Sequence, residues 1–322
     1  MIKTFDSQKS LIKKIVFIDG IPRSGKTAMA TVLSSLHHSE SIEFCNFLEQ
    51  ILPGLSLNSV NFGFAKSYTN KTFDELAYNK LIGRNSNFRP SDLTSVSNYR
   101  NPKLYKKRLV KNEGTGAIKE LKKSKNFFPF VSHDLMSNIN HLDKLGLSFK
   151  LIEMYRNPID NVYSWYKRGV AKSFEKNSRI FTILLKAPNG RLCPWYIQED
   201  YKEWFKFNDM EKCAYLVMKL INRSIKKQKN FPKKNILTVN FENFVQSPNE
   251  ELNKICRFLN TKITIETKYF LKNANIPRKV EDYKTTKKAN EIKGKVSKSL
   301  FQKLILFEEN YNNKTYGFSD IY

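Results

Sequence analysis

Residues 15–27 read Ile-Val-Phe-Ile-Asp-Gly-Ile-Pro-Arg-Ser-Gly-Lys-Thr. The first four residues are apolar and predict a short buried strand, and the last eight fit the pattern G-x-x-x-x-G-K-[ST]. Helical spacing begins at Thr27. The glycines let consecutive backbone N–H groups turn towards a phosphate, and the N-terminus of the helix adds a partial positive charge. This stretch therefore predicts a phosphate-binding loop in which Lys26 reaches an anion and Thr27 offers a hydroxyl.

The rest of the chain alternates strand-like and helical segments. Strands are predicted over 128–132, 149–155 and 235–240, and helices over 138–145, 201–227, 250–259 and 297–309. This alternation predicts an α/β fold with three layers, in which a central parallel sheet carries helices on both faces. Ligands of such sheets bind at the carboxyl ends of the strands. We expect a single domain over residues 1–322, with a helical and loop insertion at about 55–125 and an irregular stretch at about 174–198.

The chain is strongly basic. It has 56 Lys and Arg against 30 Asp and Glu, a formal charge of +26, which indicates an anionic partner. The basic runs are spread along the sequence, as solvated helix faces are, and no zinc-finger or RNA-recognition motif accompanies them. We therefore expect no nucleic-acid partner, and a polyanion-binding protein without catalytic activity stays the weakest alternative.

Cysteine spacing and hydropathy set further limits. The 4 cysteines form no C-x-x-C pair and the 4 histidines add no metal-ligand spacing, so we expect no metal site and a reduced, cytoplasmic setting. No apolar run approaches the ~18–20 residues of a membrane helix. We therefore expect neither a transmembrane segment nor a secretory signal.

A second segment with unusual residues follows the strand at 149–155. It reads Tyr155-Arg-Asn-Pro-Ile-Asp-Asn-Val-Tyr-Ser164. Arg156 lies at the strand end and Ser164 two turns inside the next helix, so a fork of donors and a hydroxyl can converge on one anion. The alternative is an ion pair between Arg156 and Asp160, with Ser164 a neutral helix residue.

Both segments resemble one family. G-x-P-R-S-G at the first strand is similar to the 5′-phosphosulfate loop of sulfotransferases, which use 3′-phosphoadenosine-5′-phosphosulfate (PAPS). R-N-P-x-D-x-x-x-S is similar to their 3′-phosphate segment, with the same offset between Arg156 and Ser164. Lys26 departs from the family loop, which usually has a small residue there. The resemblance implies the following donor-binding residues: Pro22, Arg23, Ser24, Gly25, Lys26, Thr27, Arg156, Ser164 and, in a basic loop predicted over 276–295, Lys293 and Lys295.

The resemblance also implies the chemistry. A sulfuryl group would move from PAPS to the hydroxyl of a carbohydrate or small metabolite, leaving 3′,5′-ADP, with no metal required. His133 is the first candidate for the base and Glu43 the second, while Lys26 would stabilise the leaving group. Ala28 stands where cytosolic members carry the aromatic that stacks on adenine, so the stacking residue is unassigned. The acceptor pocket is expected from residues 55–125 and from an acceptor loop at 174–198.

One alternative enzyme class uses the same loop. A magnesium-dependent P-loop kinase or NTPase would account for the complete loop with Lys26, and Asp134 at a strand end would bind the metal. That alternative leaves Arg156 and Ser164 unexplained.

Overall fold

The computed structural model describes residues 4–5, 9–176 and 182–313. Its strands are β1 (Ile15–Asp19), β2 (Glu43–Phe44), β3 (Phe128–Val131), β4 (Phe149–Tyr155), β5 (Leu184–Lys186), β6 (Leu192–Pro194) and β7 (Ile236–Asn240). Its helices are α1 (Lys26–Ser34), α2 (Leu48–Ser56), α3 (Phe62–Leu81), α4 (Pro102–Arg108), α5 (Thr115–Lys123), α6 (Ile139–Lys144), α7 (Pro158–Lys167), α8 (Val170–Lys176), α9 (Tyr201–Trp204), α10 (Asp209–Lys229), α11 (Phe241–Gln246), α12 (Pro248–Leu259), α13 (Ile265–Asn273), α14 (Asp282–Lys293) and α15 (Lys298–Asn312).

The main sheet is parallel and has the strand order β2-β3-β1-β4-β7. Strand β1 is central, with Phe17 opposite Phe130 of β3 on one side and Leu151 of β4 on the other. Strands β5 and β6 form a separate antiparallel pair. The predicted α/β fold with a central parallel sheet is confirmed.

Alternation along β1 explains the three layers. Ile15 and Phe17 pack in one core cluster with residues of α2, α3 and α6. Val16 and Ile18 pack in another cluster with residues of α1 and α12. Because successive side chains of a strand point to opposite faces, this fully buried strand, apolar from Ile15 to Ile18, has to be covered by helices on both sides. A third cluster joins α7, α8, α10 and α15.

Two predicted segments differ from the structure. The helix predicted over 201–227 is divided, because Asn208 accepts hydrogen bonds from the backbone N–H groups of Met210 and Glu211 and starts α10 with a capping box. The basic region 276–295, predicted as a loop, contains α14. Contacts with α7 hold that helix, since Lys288 pairs with Asp160 and Tyr163 Oη donates to Glu291 Oε2 at 2.9 Å.

Residues 55–125 contain α3, α4 and α5. Apolar side chains of α3 and α5 join the core next to Phe17, whereas Tyr105 of α4 packs in a separate small cluster with Val96 and Tyr99. The α4 residue Arg108 forms a buried, bidentate ion pair with Glu40, at 2.8 and 2.9 Å. Within the described ranges, no helix combines the length and apolar character that crossing a membrane requires.

Candidate active site

The carboxyl ends of the five parallel strands open on one cleft of about 970 Å³. Strand β1 runs into the loop Gly20–Thr27, and the other four strands end at or just before Phe44, His133, Arg156 and Phe241, all of which line the cleft. The cleft therefore lies where ligands of open α/β sheets bind.

The loop has the conformation that its glycines predict. Gly25 has a φ of +99°, and a Cβ there would lie 2.1 Å from the Phe241 ring, so only glycine fits. Arg23 also has a positive φ, of 71°. Pro22, Arg23, Gly25, Lys26 and Thr27 line the cleft.

Lys26 points back into the loop. Its Nζ donates to Ile21 O at 3.0 Å and also to Gly20 O, and its side chain is buried. Burial lowers the pKa of Lys26 to about 8, an effect that the carboxylate of Asp19 partly opposes. The loop thus holds a cation that titrates close to neutral pH.

The second predicted segment meets the loop directly. Arg156 Nη1 donates to Arg23 O at 3.1 Å, across 133 residues of sequence, and Arg23 Nε donates to Ser164 Oγ at 3.2 Å. Asp160 does not take the role of ion-pair partner that the alternative gave it, since it contacts Lys288 of α14. Arg156 therefore lines the cleft beside the loop, while Ser164 contacts the loop through Arg23 but is not among the described residues that line the cleft.

Phe241 supplies an aromatic face between two cations. The guanidinium carbons of Arg156 and Arg278 lie 5.1 and 5.5 Å from the centre of its ring. Phe270 of α13 also lines the cleft. Phe241 and Phe270 therefore offer the cleft aromatic surface, which Ala28, the position after the loop, does not.

The C-terminal cations of the cleft differ from those predicted. Four basic residues before and within α14 line it: Arg278, Lys279, Lys284 and Lys288. Lys293 and Lys295 are not among its described lining residues, and Lys295 Nζ lies 3.2 Å from Glu291 Oε1 and 3.3 Å from Tyr166 Oη. For Arg278 and Lys279, the signal in the sequence was that two cations are adjacent just before the helix.

His133 has a carboxylate partner that the sequence analysis missed. Its Nδ1 lies 2.9 Å from Glu49 Oε1. Because a carboxylate can only accept, Nδ1 donates this bond, and in the neutral imidazole Nε2 carries the lone pair. Glu49 lies in the first turn of α2, six residues beyond the other candidate base, Glu43.

Glu43 lies apart from the cleft. It forms an ion pair with Lys80 at 3.2 Å, and the two line a separate small pocket together with Ser41 and Tyr105. The chain turns between Phe44 and the start of α2, which directs Glu49 and not Glu43 towards His133.

Buried carboxyl groups lie behind the loop. Asp19 accepts from Ser132 Oγ at 3.0 Å, and Glu153 accepts from Ser224 Oγ at 2.7 Å. Burial and the nearby Asp19 raise the pKa of Glu153 well above its usual range, and burial raises the pKa of Asp134 to about 7. In the described part of the chain, no group of three or more His, Cys, Asp or Glu side chains is arranged to hold a metal ion.

A second cavity, of about 510 Å³, adjoins the cleft. Pro22, Phe44 and His133 line both spaces. The imidazole of His133 therefore lies at their border.

The parallel sheet, the loop after its central strand and the cleft at the strand ends define a P-loop type of α/β protein. The family model described as the sulfotransferase domain matches residues 13–305. The chain belongs to the sulfotransferase family, which favours sulfuryl transfer over the kinase and polyanion-binding alternatives.

Solved structures similar to this chain have low sequence identity to it. A sulfotransferase domain from the curacin biosynthetic pathway has 16% identity and a TM-score of 0.44, covering 81% of this chain and 77% of that one. A sulfotransferase from Alicyclobacillus acidocaldarius has 13% identity and a TM-score of 0.40, covering 90% and 94%. The mouse sulfotransferase SULT7A1, complexed with PAP, has 13% identity and a TM-score of 0.34, covering 84% and 66%. No curated protein matches the chain.

Proposed function

We propose that this protein transfers a sulfuryl group from PAPS to an acceptor hydroxyl, releasing 3′,5′-ADP. The observation that carries the proposal is the meeting of Arg156 and Ser164 with Arg23 of the loop, at 3.1 and 3.2 Å. A single adenosine with phosphates on both its 5′ and 3′ positions needs two anion sites close together. A loop of backbone amides beside a guanidinium and a hydroxyl meets that need.

Unpartnered polar atoms support the fit of this donor. Among the described residues, Ser24 Oγ and Arg156 Nε are buried and have no hydrogen-bond partner. Such buried donors cost about 1–3 kcal/mol each when they stay unpaired. Both belong to the two segments assigned to the phosphates, so the phosphate oxygens of the donor would satisfy them.

The roles in donor binding follow from position. Arg23, Thr27 and the amides of the loop would hold the 5′-phosphosulfate, and Arg156 with Ser164 would hold the 3′-phosphate. Arg278 and Lys279 line the cleft, and one of them would make the third contact with the 3′-phosphate. They replace Lys293 and Lys295 in this role. Phe241 is the proposed stacking residue for adenine.

Charge in the loop would assist the transfer step. PAPS supplies the sulfuryl group, and negative charge builds on the phosphate side as the group departs. Lys26 and Arg23 lie beside the loop amides and would stabilise that charge.

His133 is the proposed general base. Glu49 fixes the proton on Nδ1 through the 2.9 Å hydrogen bond, so Nε2 can take the proton of an acceptor hydroxyl. Glu49 acts through His133 and is a positioning residue. Glu43 is left out of the site because its carboxylate pairs with Lys80 at 3.2 Å.

Ligand-induced thermal stabilisation tests the donor. Without magnesium, 3′,5′-ADP should raise the melting temperature by several degrees more than 5′-AMP, since saturation at about 100 times Kd adds about 2.7 kcal/mol to the free energy of unfolding. Arg156→Ala should weaken 3′,5′-ADP binding about 10- to 100-fold, the loss expected for a charged hydrogen bond of about 1.5–3 kcal/mol, and should leave 5′-AMP binding unchanged.

Arg257→Ala is the matched control, because Arg257 is an exposed α12 arginine that bonds only its own helix, to Asn253 O at 3.3 Å. It should behave as the unaltered chain does. Equal stabilisation by the two nucleotides, or equal effects of the two arginine variants, would contradict the proposal.

A further inference from the structure

The second cavity is placed to hold the molecule that receives the sulfuryl group. It has a volume of about 510 Å³, within the range of roughly 300–1,000 Å³ that small-molecule sites occupy. His133 lines this cavity and the nucleotide cleft alike. A hydroxyl compound bound here would therefore reach the imidazole from the side opposite the donor.

The walls of this cavity are aromatic and aliphatic. The apolar lining comes from α2, the turn after β3, α7, α8, the turn after β6 and α10: Leu48, Leu52, Leu135, Trp165, Val170, Phe174, Trp195, Tyr196 and Leu220. The stretch 174–198, of which residues 177–181 lie outside the described ranges, contributes three of these residues, and 55–125 contributes none of the described ones.

Three of the polar side chains around the cavity already have partners, and Asn46, Thr182 and Tyr196 are the other uncharged ones among its described lining residues. Trp165 Nε1 donates to Pro22 O at 2.7 Å, so the indole has no further donor to offer. Asn138 Oδ1 accepts from Ser56 Oγ at 2.8 Å, and Asp134 accepts from Ser137 Oγ. A ligand with many hydroxyls would lose its bonds to water here and find few in exchange, at a cost of about 1–3 kcal/mol for each unpaired group.

The cavity differs in charge from the rest of the molecule. The chain has 56 Lys and Arg residues, yet none is among the described residues that line this space. Apart from the phenol of Tyr196, its ionisable side chains are His133 and the two carboxylic acids Glu49 and Asp134. An anionic acceptor, such as an acidic glycan or a phosphorylated metabolite, would face these carboxylic acids with no Lys or Arg among the described lining residues to pair with; Arg223 is not one of them, although its guanidinium carbon lies 4.6 Å from the centre of the Trp195 ring.

We infer that the acceptor is an uncharged molecule with a hydroxyl on a largely apolar body, such as a phenol or a medium-chain alcohol, and not a carbohydrate. This inference rests on the proposed function and names its substrate class. The acceptor oxygen forms the new S–O bond while the bond from sulfur to the phosphate oxygen of PAPS breaks. His133 Nε2 takes the hydroxyl proton and passes it to solvent, which leaves a sulfate ester and 3′,5′-ADP.

Binding and transfer are measured separately on the full chain. Calorimetry with 2-naphthol, 1-octanol, glucose and N-acetylglucosamine, with and without 3′,5′-ADP, reports binding to the second cavity. Transfer of radiolabelled sulfate from PAPS to the same four compounds reports turnover. We expect 2-naphthol and 1-octanol to bind and to be sulfated, with kcat/KM at least tenfold above that of either sugar. The ratio of kcat/KM for 2-naphthol to that for 1-octanol distinguishes a preference for an aromatic body from a preference for an alkyl body.

Two matched valine variants localise the effect. Val170 at the start of α8 lines the cavity, and Val296 does not; both are partly buried and pack against the same core cluster. Val170→Asp should weaken binding of the preferred apolar compound at least tenfold, and Val296→Asp less than twofold. Both variants should keep the 3′,5′-ADP affinity of the unaltered chain, which also shows that they fold.

Three results would overturn the acceptor class. They are sulfation of a sugar at or above the rate of both apolar compounds, failure of both apolar compounds to bind, and equal effects of the two valine variants. A different result would overturn the donor alone: saturable binding of 2-naphthol that is sensitive to Val170→Asp, with no binding of 3′,5′-ADP. The acceptor class would then stand and the proposed transfer from PAPS would not.

Discussion

The two adjoining cavities differ in chemistry although they share a wall. The cleft at the strand ends is lined by seven Lys or Arg side chains and three carboxylic acids among the described residues. The cavity beside it is lined mainly by aromatic and aliphatic side chains, with no described Lys or Arg. Pro22, Phe44 and His133 belong to both.

This difference shows how little the net charge says about an individual site. A total of +26 indicates anions in general, but only the cleft gathers cations around the phosphate-binding loop. Burial of apolar surface, worth about 25 cal/mol per Å², would drive binding in the other cavity. An anionic donor and an uncharged acceptor would thus be held by different forces and meet at His133.

The largest effect is expected where the two cavities meet. His133→Ala should lower kcat about 10²- to 10⁴-fold, the range in which positioned general bases contribute. The affinity of this variant for 3′,5′-ADP should stay within twofold of that of the unaltered chain. His133 lies at the border between the two cavities and does not belong to either segment proposed to bind phosphate. Steady-state kinetics and calorimetry check the two parts, and an unchanged kcat would remove His133 from the reaction.

An intermediate effect is expected from titration of Lys26 in the cleft. Below the folded-state pKa of about 8 the ammonium is charged and attracts phosphate, and above it the free protein loses that charge. Affinity for 3′,5′-ADP should therefore be level below pH 8 and fall by up to about tenfold per pH unit above it.

Lys26→Met should remove this slope, and binding of 1-octanol, whose hydroxyl does not ionise in this range, to the second cavity should show none in either protein. Calorimetry between pH 6.5 and pH 9.5 gives both profiles. A slope that persists in Lys26→Met would assign the titration to another group.

The smallest effect is expected from the carboxylate behind His133. Glu49→Gln keeps the side-chain shape but removes the charge that faces Nδ1, so kcat should fall about three- to tenfold and the pH–rate profile should shift. Glu43→Gln is the matched control, since its partner is Lys80 in a separate pocket, and kcat should change less than twofold. Equal pH–rate profiles for the two variants would contradict the positioning role of Glu49.

Much of the geometry of the proposed donor site could be predicted because its signals are local. The loop at 20–27 needs glycines at fixed positions, and Arg156 with Ser164 needs only a strand end and two turns of helix. Such patterns keep their geometry wherever the segment is placed. The parallel order of the strands then brings their carboxyl ends to one edge, as predicted.

Residues that act across distant segments were harder to predict. Glu49 and His133 are 84 positions apart, and nothing in either local sequence shows that α2 packs against the end of β3. Phe241 directly follows β7, the edge strand that pairs with β4. Only this strand order brings its ring against Gly25. Arg278 and Lys279 were within the expected basic region, but the prediction took a later pair of lysines.

The amino acids alone defined the phosphate-binding loop, the alternation of strands and helices, and the guanidinium–hydroxyl pair, because each depends on spacing within about ten residues. Packing decided which carboxylate faces His133, which cations enter the cleft and that the adjoining cavity is apolar. Those features are made by side chains from many separate elements, and only the folded arrangement of these elements fixes which of them share a surface.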